Sequence, residues 1–246
     1  MSELSLGSDP RTAVLQRMQA ALIARFGRME RPPAKRRDPV WALVQGVIGA
    51  RTRTALSNAN ADALLARYGS WEAVADAPVA ELAAMLRSAT YRNVAAERLK
   101  ACLTALIEQR GSVDLRHLSN QPTEDAIAWL GKLPGVGRKI AAGVINASTF
   151  ARPALVIDSH HLRIARRMGL VTAKADTRRA YDALMPIMPS EWSAADIDEH
   201  HLLVKRLGQA LCRPSRMVCP DCPVQRDCAT GRTATQPLLA REPSVA

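Results

Sequence analysis

The sequence has none of the long apolar or alternating stretches that would indicate a membrane protein or a β-sheet. No segment approaches the roughly 20 consecutive apolar residues of a membrane-spanning helix, and the N-terminal MSELSLGSDPRTAVLQRM has no apolar core typical of a signal peptide. Walker motifs, dinucleotide-binding glycine fingerprints and serine hydrolase motifs are also absent. We therefore expect an all-α protein of a reducing, bacterial-type cytoplasm that does not bind a membrane.

Apolar residues recur at helical spacing along most of the chain. Cys102 shares an apolar helical face with Leu99 and Leu106, which predicts a core position for its thiol. The composition of residues 231–246 predicts a flexible tail. The pattern predicts helices over residues 11–27, 40–49, 54–67, 71–76, 79–87, 92–109, 123–132, 138–149, 159–168, 177–187 and 194–210.

Four of the five cysteines lie within one short segment, with the spacing C-x6-C-x2-C-x5-C. Such short gaps bring the thiolates together at little loop-closure cost, which favours one metal centre over a pair of disulfides. A four-thiolate zinc site remains the alternative, although zinc sites usually show two close pairs and only one is present here. Three short, unequal gaps favour a [4Fe–4S] cluster. The predicted ligands are Cys212, Cys219, Cys222 and Cys228.

The charge of the chain indicates a nucleic-acid partner. It contains 34 Lys and Arg residues against 23 Asp and Glu residues, which gives a formal net charge of +11 and a pI near 10.1. Basic residues cluster at 35–37, at Arg163, Arg166 and Arg167, and in a segment that holds Arg213 and Arg216. Each cluster could neutralise phosphates, but a solvated helix face explains any single one equally well.

A second motif, LPGVGRK at residues 133–139, follows one predicted helix and begins another. Two glycines that bracket one apolar residue predict a tight turn, with backbone N–H groups exposed at a helix start. Such a turn can hold a DNA phosphate without reading the base sequence. The string alone is also compatible with an ordinary turn between helices.

The stretch LPGVGRKIAAGVINASTFARPALVIDSHHLRIARR, together with the cysteine spacing, resembles the endonuclease III family of helix-hairpin-helix DNA glycosylases, and the likeness runs from about residue 40 to residue 230. The resemblance implies an all-α fold in which two helical domains flank a DNA-binding cleft. Residues 32–152 would form a six-helix barrel with the helix-hairpin-helix. Residues 1–31 and 153–230 would form a discontinuous domain that carries the iron–sulfur cluster. The implied molecule is a monomer that acts on nucleoid DNA.

Lys139 matches the catalytic lysine of this family, and Asp158 matches its catalytic aspartate. A neutral lysine amine can attack C1′ of deoxyribose, release the base and form a Schiff base that permits strand cleavage by β-elimination. A position in the first turn of a helix disfavours the positive charge of Lys139. Asp158 could stabilise positive charge on the sugar or accept a proton. It also stands where a helix N-cap belongs, and the two roles are compatible.

Departures from the family pattern leave the lesion preference open. Base flipping leaves a gap in the duplex, which a glutamine and a leucine fill in the family. Arg51 and Thr90 stand at those positions here, Tyr91 follows, and Thr54 replaces a usual carboxylate. Adenine glycosylases usually carry a glutamate where Val47 stands and no lysine after the hairpin. The predicted DNA contacts are Arg51, Thr90, Tyr91, Leu133, Gly135, Val136, Gly137, Arg138, Arg213 and Arg216.

The sequence thus predicts a bifunctional DNA glycosylase and abasic-site lyase that removes oxidised pyrimidines from duplex DNA and cleaves abasic sites. A glycosylase of the same fold with another lesion preference, and a DNA-binding module without catalysis, remain as alternatives. The histidine pairs at 160–161 and 200–201 are expected to pack or to contact phosphate, because adjacent residues on a helix point in different directions.

Overall fold

The computed structural model describes residues 9–234. These residues form α-helices and short 3₁₀ turns, without a β-strand. No helix in this range is long and apolar enough to cross a membrane. The helices are α1 (Pro10–Phe26), α2 (Pro39–Ile48), α3 (Thr54–Tyr68), α4 (Trp71–Asp76), α5 (Val79–Met85), α6 (Arg92–Arg110), α7 (Thr123–Leu130), α8 (Arg138–Ala147), α9 (Ser159–Met168), α10 (Thr177–Leu184), α11 (Ala194–Ala210) and α12 (Ala229–Ala234).

The predicted helices are all present, and their ends differ by a few residues at most. The segment after α10 is a 3₁₀ turn, Met185–Ile187, which the prediction joined to the helix. Helix α12 was not predicted, because its sequence ATGRTA has no apolar periodicity. The predicted tail at 231–246 therefore begins with the end of α12, and residues 235–246 lie outside the described part of the chain.

The chain divides into two compact units. The first, here called the hairpin unit, comprises residues 31–156 and 193–198. Helix α2 lies at its centre and packs against α3, α6 and α8. Gly46 allows the close approach of α8, since a Cβ atom there would lie 2.7 Å from Cγ2 of Ile140. Cys102 of α6 is fully buried, and this burial raises the pKa of its thiol to about 12, so its predicted core position is confirmed.

The second unit, here called the cysteine unit, comprises residues 9–30, 157–192 and 199–234 of the described chain. Helix α9 packs against α10 and α12 within it. Helix α1 buries Leu15, Met18 and Leu22 in the core of this unit. The side chain of Asp9 caps α1 by accepting a hydrogen bond of 2.9 Å from the backbone N–H of Arg11.

The two units do not follow the predicted domain boundaries at every point. The hairpin unit also contains Arg31, residues 153–156 and residues 193–198, which the prediction gave to the other domain. Asn146 donates a hydrogen bond of 3.0 Å from Nδ2 to the carbonyl oxygen of Ala194. Arg31 donates from Nε to Oδ2 of Asp198 at 2.8 Å. These contacts join segments that are far apart in sequence, so local patterns do not reveal them.

Candidate functional site

The turn before α8 has the tight geometry that its glycines predict. Leu133 and Val136 are buried beneath the turn, and the N–H of Val136 donates to the carbonyl oxygen of Leu133 at 3.1 Å. Gly135 has a φ of +77°, in the left-handed region that favours glycine. A Cβ atom at Gly137 would meet nothing within 4 Å. A phosphodiester can therefore approach the backbone here.

Lys139 is the second residue of α8 and is exposed. Gly137 is the N-cap of this helix, and no side chain caps it. The first N–H groups of a helix have no partner within the helix, so this end offers donors and positive potential to an anion. Arg138 pairs with Glu124 at 3.1 Å, and its side chain is only 20% exposed. The predicted phosphate contact by Arg138 therefore competes with an existing ion pair.

Asp158 is the N-cap of α9. Its Oδ1 accepts hydrogen bonds of 2.9 Å from the backbone N–H groups of His160 and His161. Burial raises the pKa of Asp158, but the electrostatic influence of His201 and the hydrogen bond from the backbone N–H of His161 outweigh burial and hold the pKa below its usual value of 3.8. The residue thus acts as a cap and remains a carboxylate at neutral pH.

Three of the four predicted histidines are buried in the cysteine unit. The rings of His161 and His201 stack with centroids 6.3 Å apart, and Nδ1 of His200 lies 2.9 Å from Oε1 of Gln19. Burial lowers the pKa of His200 to about 3 and lowers that of His161 well below 6.5, so both rings are neutral. Their predicted packing role is confirmed, while His160 is half-buried and lies 3.1 Å from a guanidinium nitrogen of Arg163.

The four predicted cysteine ligands line one apolar cavity in the cysteine unit. Burial, followed by the neighbouring thiols, raises the pKa of Cys222 to about 11 and raises that of Cys228. The backbone N–H of Gly231 donates to Sγ of Cys228 at 3.3 Å. Apolar side chains complete the cavity wall; they include Ile164, Met168, Leu207, Leu211 and Val224.

This donor set fits a thiolate-ligated cluster. Zinc needs all four sulfurs at about 2.3 Å from one point. Each cysteine of a four-iron cluster binds a different iron, so the sulfurs lie farther apart around a larger centre. N–H donors to sulfur and an apolar wall are the surroundings that stabilise such a group.

Arg167 holds the first part of the cysteine loop. Its Nη1 donates to Sγ of Cys212 at 3.1 Å and to the carbonyl oxygen of Arg213 at 2.8 Å, and its Nη2 donates to Pro214 at 3.1 Å. Its own carbonyl oxygen accepts from Oγ1 of Thr230 at 2.8 Å. The sequence placed Arg167 in a basic cluster without revealing this role, because its partners are loop atoms more than forty residues away.

The other arginines of α9 also bind the protein itself. Arg163 donates from Nε to the carbonyl oxygen of Cys212 at 3.0 Å, and Arg166 donates from Nε to Ala175 at 2.9 Å. Both side chains thus have a structural role, and their phosphate contacts stay a prediction. Arg213 and Arg216 are exposed, and the N–H of Arg213 donates to the carbonyl oxygen of Arg216 at 2.9 Å. Their exposure leaves them available to a polyanion.

Arg51, Thr90 and Tyr91 come together where the end of α2 meets the start of α6. Thr90 donates from Oγ1 to the carbonyl oxygen of Arg51 at 2.9 Å. Arg51 donates from Nη1 to the hydroxyl oxygen of Tyr91 at 3.2 Å. All three are exposed. The sequence predicted each as a DNA contact, and the structure joins them into one surface of the hairpin unit.

Known proteins that are similar to this chain include DNA repair proteins. Residues 44–189 match the family model described as HhH-GPD superfamily base excision DNA repair protein. Endonuclease III of Thermotoga maritima is 25% identical over 216 residues, which are 87% of this chain and 92% of that protein. Endonuclease III of Bacillus subtilis is 29% identical over 197 residues, 79% of this chain and 83% of that protein.

Two solved structures share the fold. A trapped endonuclease III–DNA covalent intermediate has a TM-score of 0.73 at 23% identity and covers 92% of this chain and 99% of that one. A thermostable thymine-DNA glycosylase has a TM-score of 0.72 at 18% identity and covers 92% of this chain and 100% of that one. The two carry different names at nearly equal similarity, so the likeness does not identify a target base.

Proposed function

The chain belongs to the HhH-GPD superfamily of base excision DNA repair proteins, and we propose that it is a bifunctional DNA glycosylase and abasic-site lyase that removes oxidised pyrimidines from duplex DNA. The observation that carries this proposal is the exposed Lys139 in the first turn of α8, directly after the hairpin turn. An amine in that position is a nucleophile next to a phosphate-binding backbone. Relatives named Endonuclease III support the same activity.

The proposed reaction begins with attack of the neutral Lys139 amine on C1′ of the damaged nucleotide. The C1′–N bond breaks, and the base leaves with the bonding electron pair and a proton. The amine gives up one proton to the departing base and a second to O4′, which leaves C1′ as the sugar ring opens, and the result is an imine between Nζ and C1′. The imine acidifies the protons on C2′, and removal of one expels the 3′ phosphate by β-elimination. Water then hydrolyses the imine and frees the lysine.

Asp158 is proposed to assist the first step. Its low pKa keeps the carboxylate charged at neutral pH, although the side chain is buried. A fixed negative charge stabilises the positive charge that develops on the sugar as the base departs. Its capping bonds to α9 fix one carboxylate oxygen for this role.

Duplex DNA with damaged bases or abasic sites is the proposed partner of a monomer. The hairpin turn offers backbone N–H groups, and Arg213 and Arg216 add exposed positive charge. These groups would contact DNA phosphates and not base edges. Such contacts are independent of base sequence, which suits a protein that searches DNA of any sequence for damage. We also propose a nucleoid location in a bacterial-type cytoplasm, where such a partner is present.

A [4Fe–4S] cluster is proposed for the cavity of the cysteine unit, held by Cys212, Cys219, Cys222 and Cys228. When bound, such a group cross-links the loop and supplies folding free energy to it. Purified protein should be yellow-brown and contain about four irons per chain. Cys219→Ser should lower the iron content, whereas Cys102→Ala should leave it unchanged. Colourless protein that contains zinc would contradict the cluster.

Duplexes that each carry one lesion test the proposed reaction. Thymine glycol and dihydrothymine should be excised, with strand cleavage that leaves a 3′ unsaturated aldehyde, and a preformed abasic site should be cleaved in the same way. Undamaged duplex and a duplex with a central A·8-oxoguanine pair should remain intact. Cleavage of the abasic site alone would identify a lyase with another base preference. Binding without any cleavage would identify a DNA-binding module.

A further inference from the structure

Arg98 of α6 lies directly against the hairpin turn. A Cβ atom at Gly135 would lie 3.5 Å from Cβ of Arg98 and 3.6 Å from its Cγ and Cδ. The aliphatic stem of Arg98 is therefore in van der Waals contact with the turn. Because Nε alone separates Cδ from the guanidinium carbon, the charged group is confined to the neighbourhood of Gly135.

The next turns of α6 also support the hairpin. Ala101, Thr104 and Ala105 line one groove together with Pro134, which precedes Gly135. Residues three and four positions apart share a face of a helix, so Arg98 and these alanines form one line beneath the turn. Leucines on the other side of α6 are buried in the core of the hairpin unit. The helix thus holds Arg98 at a fixed place beside the turn.

The charge of Arg98 is not neutralised by the protein. Its side chain is exposed, and within residues 9–234 no hydrogen bond or ion pair engages its guanidinium. The positions three and four residues away on α6, which are 94, 95, 101 and 102, carry no acidic residue. Glu97 is adjacent in sequence, but successive residues of a helix point in different directions. Arg98 therefore differs from Arg138, which is paired with Glu124.

The turn contributes hydrogen-bond donors of its own. Gly135 and Gly137 are exposed, and their N–H groups donate to no acceptor within the described residues. Residues 131–139 contain no aspartate or glutamate that would repel an anion. Two free N–H groups and one free guanidinium thus lie around the same short turn. Backbone amides and an arginine are donors that suit the oxygens of a phosphate group.

The composition of the two segments favours phosphate over a nucleobase as the ligand. Residues 92–110 and 131–139 contain no phenylalanine, tyrosine or tryptophan on which a base could stack. The stem of Arg98 is packed against Gly135, so its guanidinium loses less conformational entropy on binding than a freely rotating side chain would. Such a side chain is suited to a contact with the DNA backbone that is independent of base sequence.

We propose that Arg98 binds the DNA phosphodiester that the hairpin turn receives, so that the N–H groups of Gly135 and Gly137 and the guanidinium of Arg98 hold one phosphate. The inference rests on the proposed function, to which the turn already belongs, and adds to it a side chain from α6. Lys139 follows Gly137 by two residues, so this phosphate positions the DNA strand beside the proposed nucleophile.

Binding to a duplex with a tetrahydrofuran abasic analogue, measured by anisotropy at several salt concentrations, tests the role of Arg98. Arg98→Met keeps an unbranched stem against Gly135 and removes the charge. It should melt as the wild type does, bind about tenfold more weakly and lose about 0.9 from the slope of log affinity against log salt. Arg98→Lys should keep most of the slope. Arg110→Met is the matched control, since Arg110 is exposed in the last turn of the same helix and should not affect binding.

A scan with methylphosphonates, which replace one charged phosphate at a time, tests whether Arg98 and the turn share a phosphate. One replacement should weaken wild-type binding about tenfold and Arg98→Met binding by no more than about threefold, because that contact is already lost. Every other replacement should weaken binding of both proteins equally. Equal losses at all positions, or wild-type affinity and salt slope in Arg98→Met, would overturn the inference.

Cleavage separates this inference from the proposed function. At saturating protein, Arg98→Met should cleave a preformed abasic site in a single turnover at the wild-type rate, because Arg98 acts through binding. A rate that stays below the wild-type rate at saturation would place Arg98 beside the reacting sugar and contradict the inference. If the wild type bound the duplex but cleaved no abasic site, the proposed function would fail, and the binding results would still decide the role of Arg98.

Discussion

Arg167 donates a hydrogen bond from Nη1 to Sγ of Cys212 at 3.1 Å. This contact links the basic helix α9 to the first of the four cysteines. The carbonyl oxygen of Arg167 also accepts from Oγ1 of Thr230, two residues after the last cysteine. One residue thus connects both ends of the cysteine loop, and a positive charge faces the position where a thiolate ligand would be negative.

Replacement of Arg167 should weaken retention of the cluster. In Arg167→Gln, the charged donor to sulfur is lost, and hydrogen bonds to charged groups contribute about 1.5–3 kcal/mol. The absorbance near ~400 nm should decay several times faster under air or a chelator, and the reduction potential should fall because sulfur loses a donor. Arg213→Gln is the control, because its side chain donates to the carbonyl oxygen of Gln209 and not to sulfur. Equal decay in both variants would contradict this role of Arg167.

Two substitutions separate the capping role of Asp158 from its catalytic role. Asp158→Asn keeps an acceptor for the N–H groups of His160 and His161, so the melting temperature should change little. Excision should nevertheless fall at least a hundredfold, while cleavage of a preformed abasic site should fall less. Asp158→Ala should lose about 1 kcal/mol of stability as well. If Asp158→Asn excised the base as fast as the wild type, Asp158 would be a helix cap without a catalytic role.

Asp158 should also affect the dependence of stability on pH. Its pKa in the folded protein is lowered below 3.8, so the charged carboxylate stabilises the fold above that pH. This stabilisation is lost as the pH falls through the lower folded value. Denaturant melts from pH 5 to well below pH 3.8 should therefore show a steeper acid loss in the wild type than in Asp158→Asn. If stability depended on pH in the same way in both proteins, the pKa of Asp158 would be the same in the folded and unfolded states.

Exposed arginines of the cysteine unit should govern affinity rather than lesion choice. Arg213→Ala and Arg216→Ala should each weaken binding to lesion duplex and undamaged duplex by similar factors. Each should also reduce the slope of log affinity against log salt by about 0.9, the value for one lost phosphate contact. Arg178→Ala is the control, since Arg178 lies on α10 and its side chain is 78% exposed. A loss confined to one lesion would place the arginine at the base pocket.

The sequence predicted the helices and the cysteine cavity because both depend on local spacing. Apolar periodicity indicates where helices lie. Helix α12 was not predicted because its six residues lack such periodicity. The cap at Asp158 also follows from residues next to it in sequence. The arginines of α9 were harder to interpret, since their carbonyl and sulfur acceptors lie in distant loops. The hydrogen bond between Thr90 and Arg51 likewise joins residues that are thirty-nine positions apart, so no local sequence pattern predicts it.

Borohydride trapping tests the central claim that Lys139 is the nucleophile. The wild type, incubated with an abasic-site duplex and borohydride, should form a covalent adduct, because the reductant converts the imine into a stable amine. Proteolysis and mass spectrometry should place the adduct on the peptide that contains Lys139. Lys139→Gln should bind the duplex with unchanged affinity and form no adduct, whereas Lys132→Gln should trap as the wild type does. Full trapping by Lys139→Gln, or an adduct on another lysine, would contradict the account.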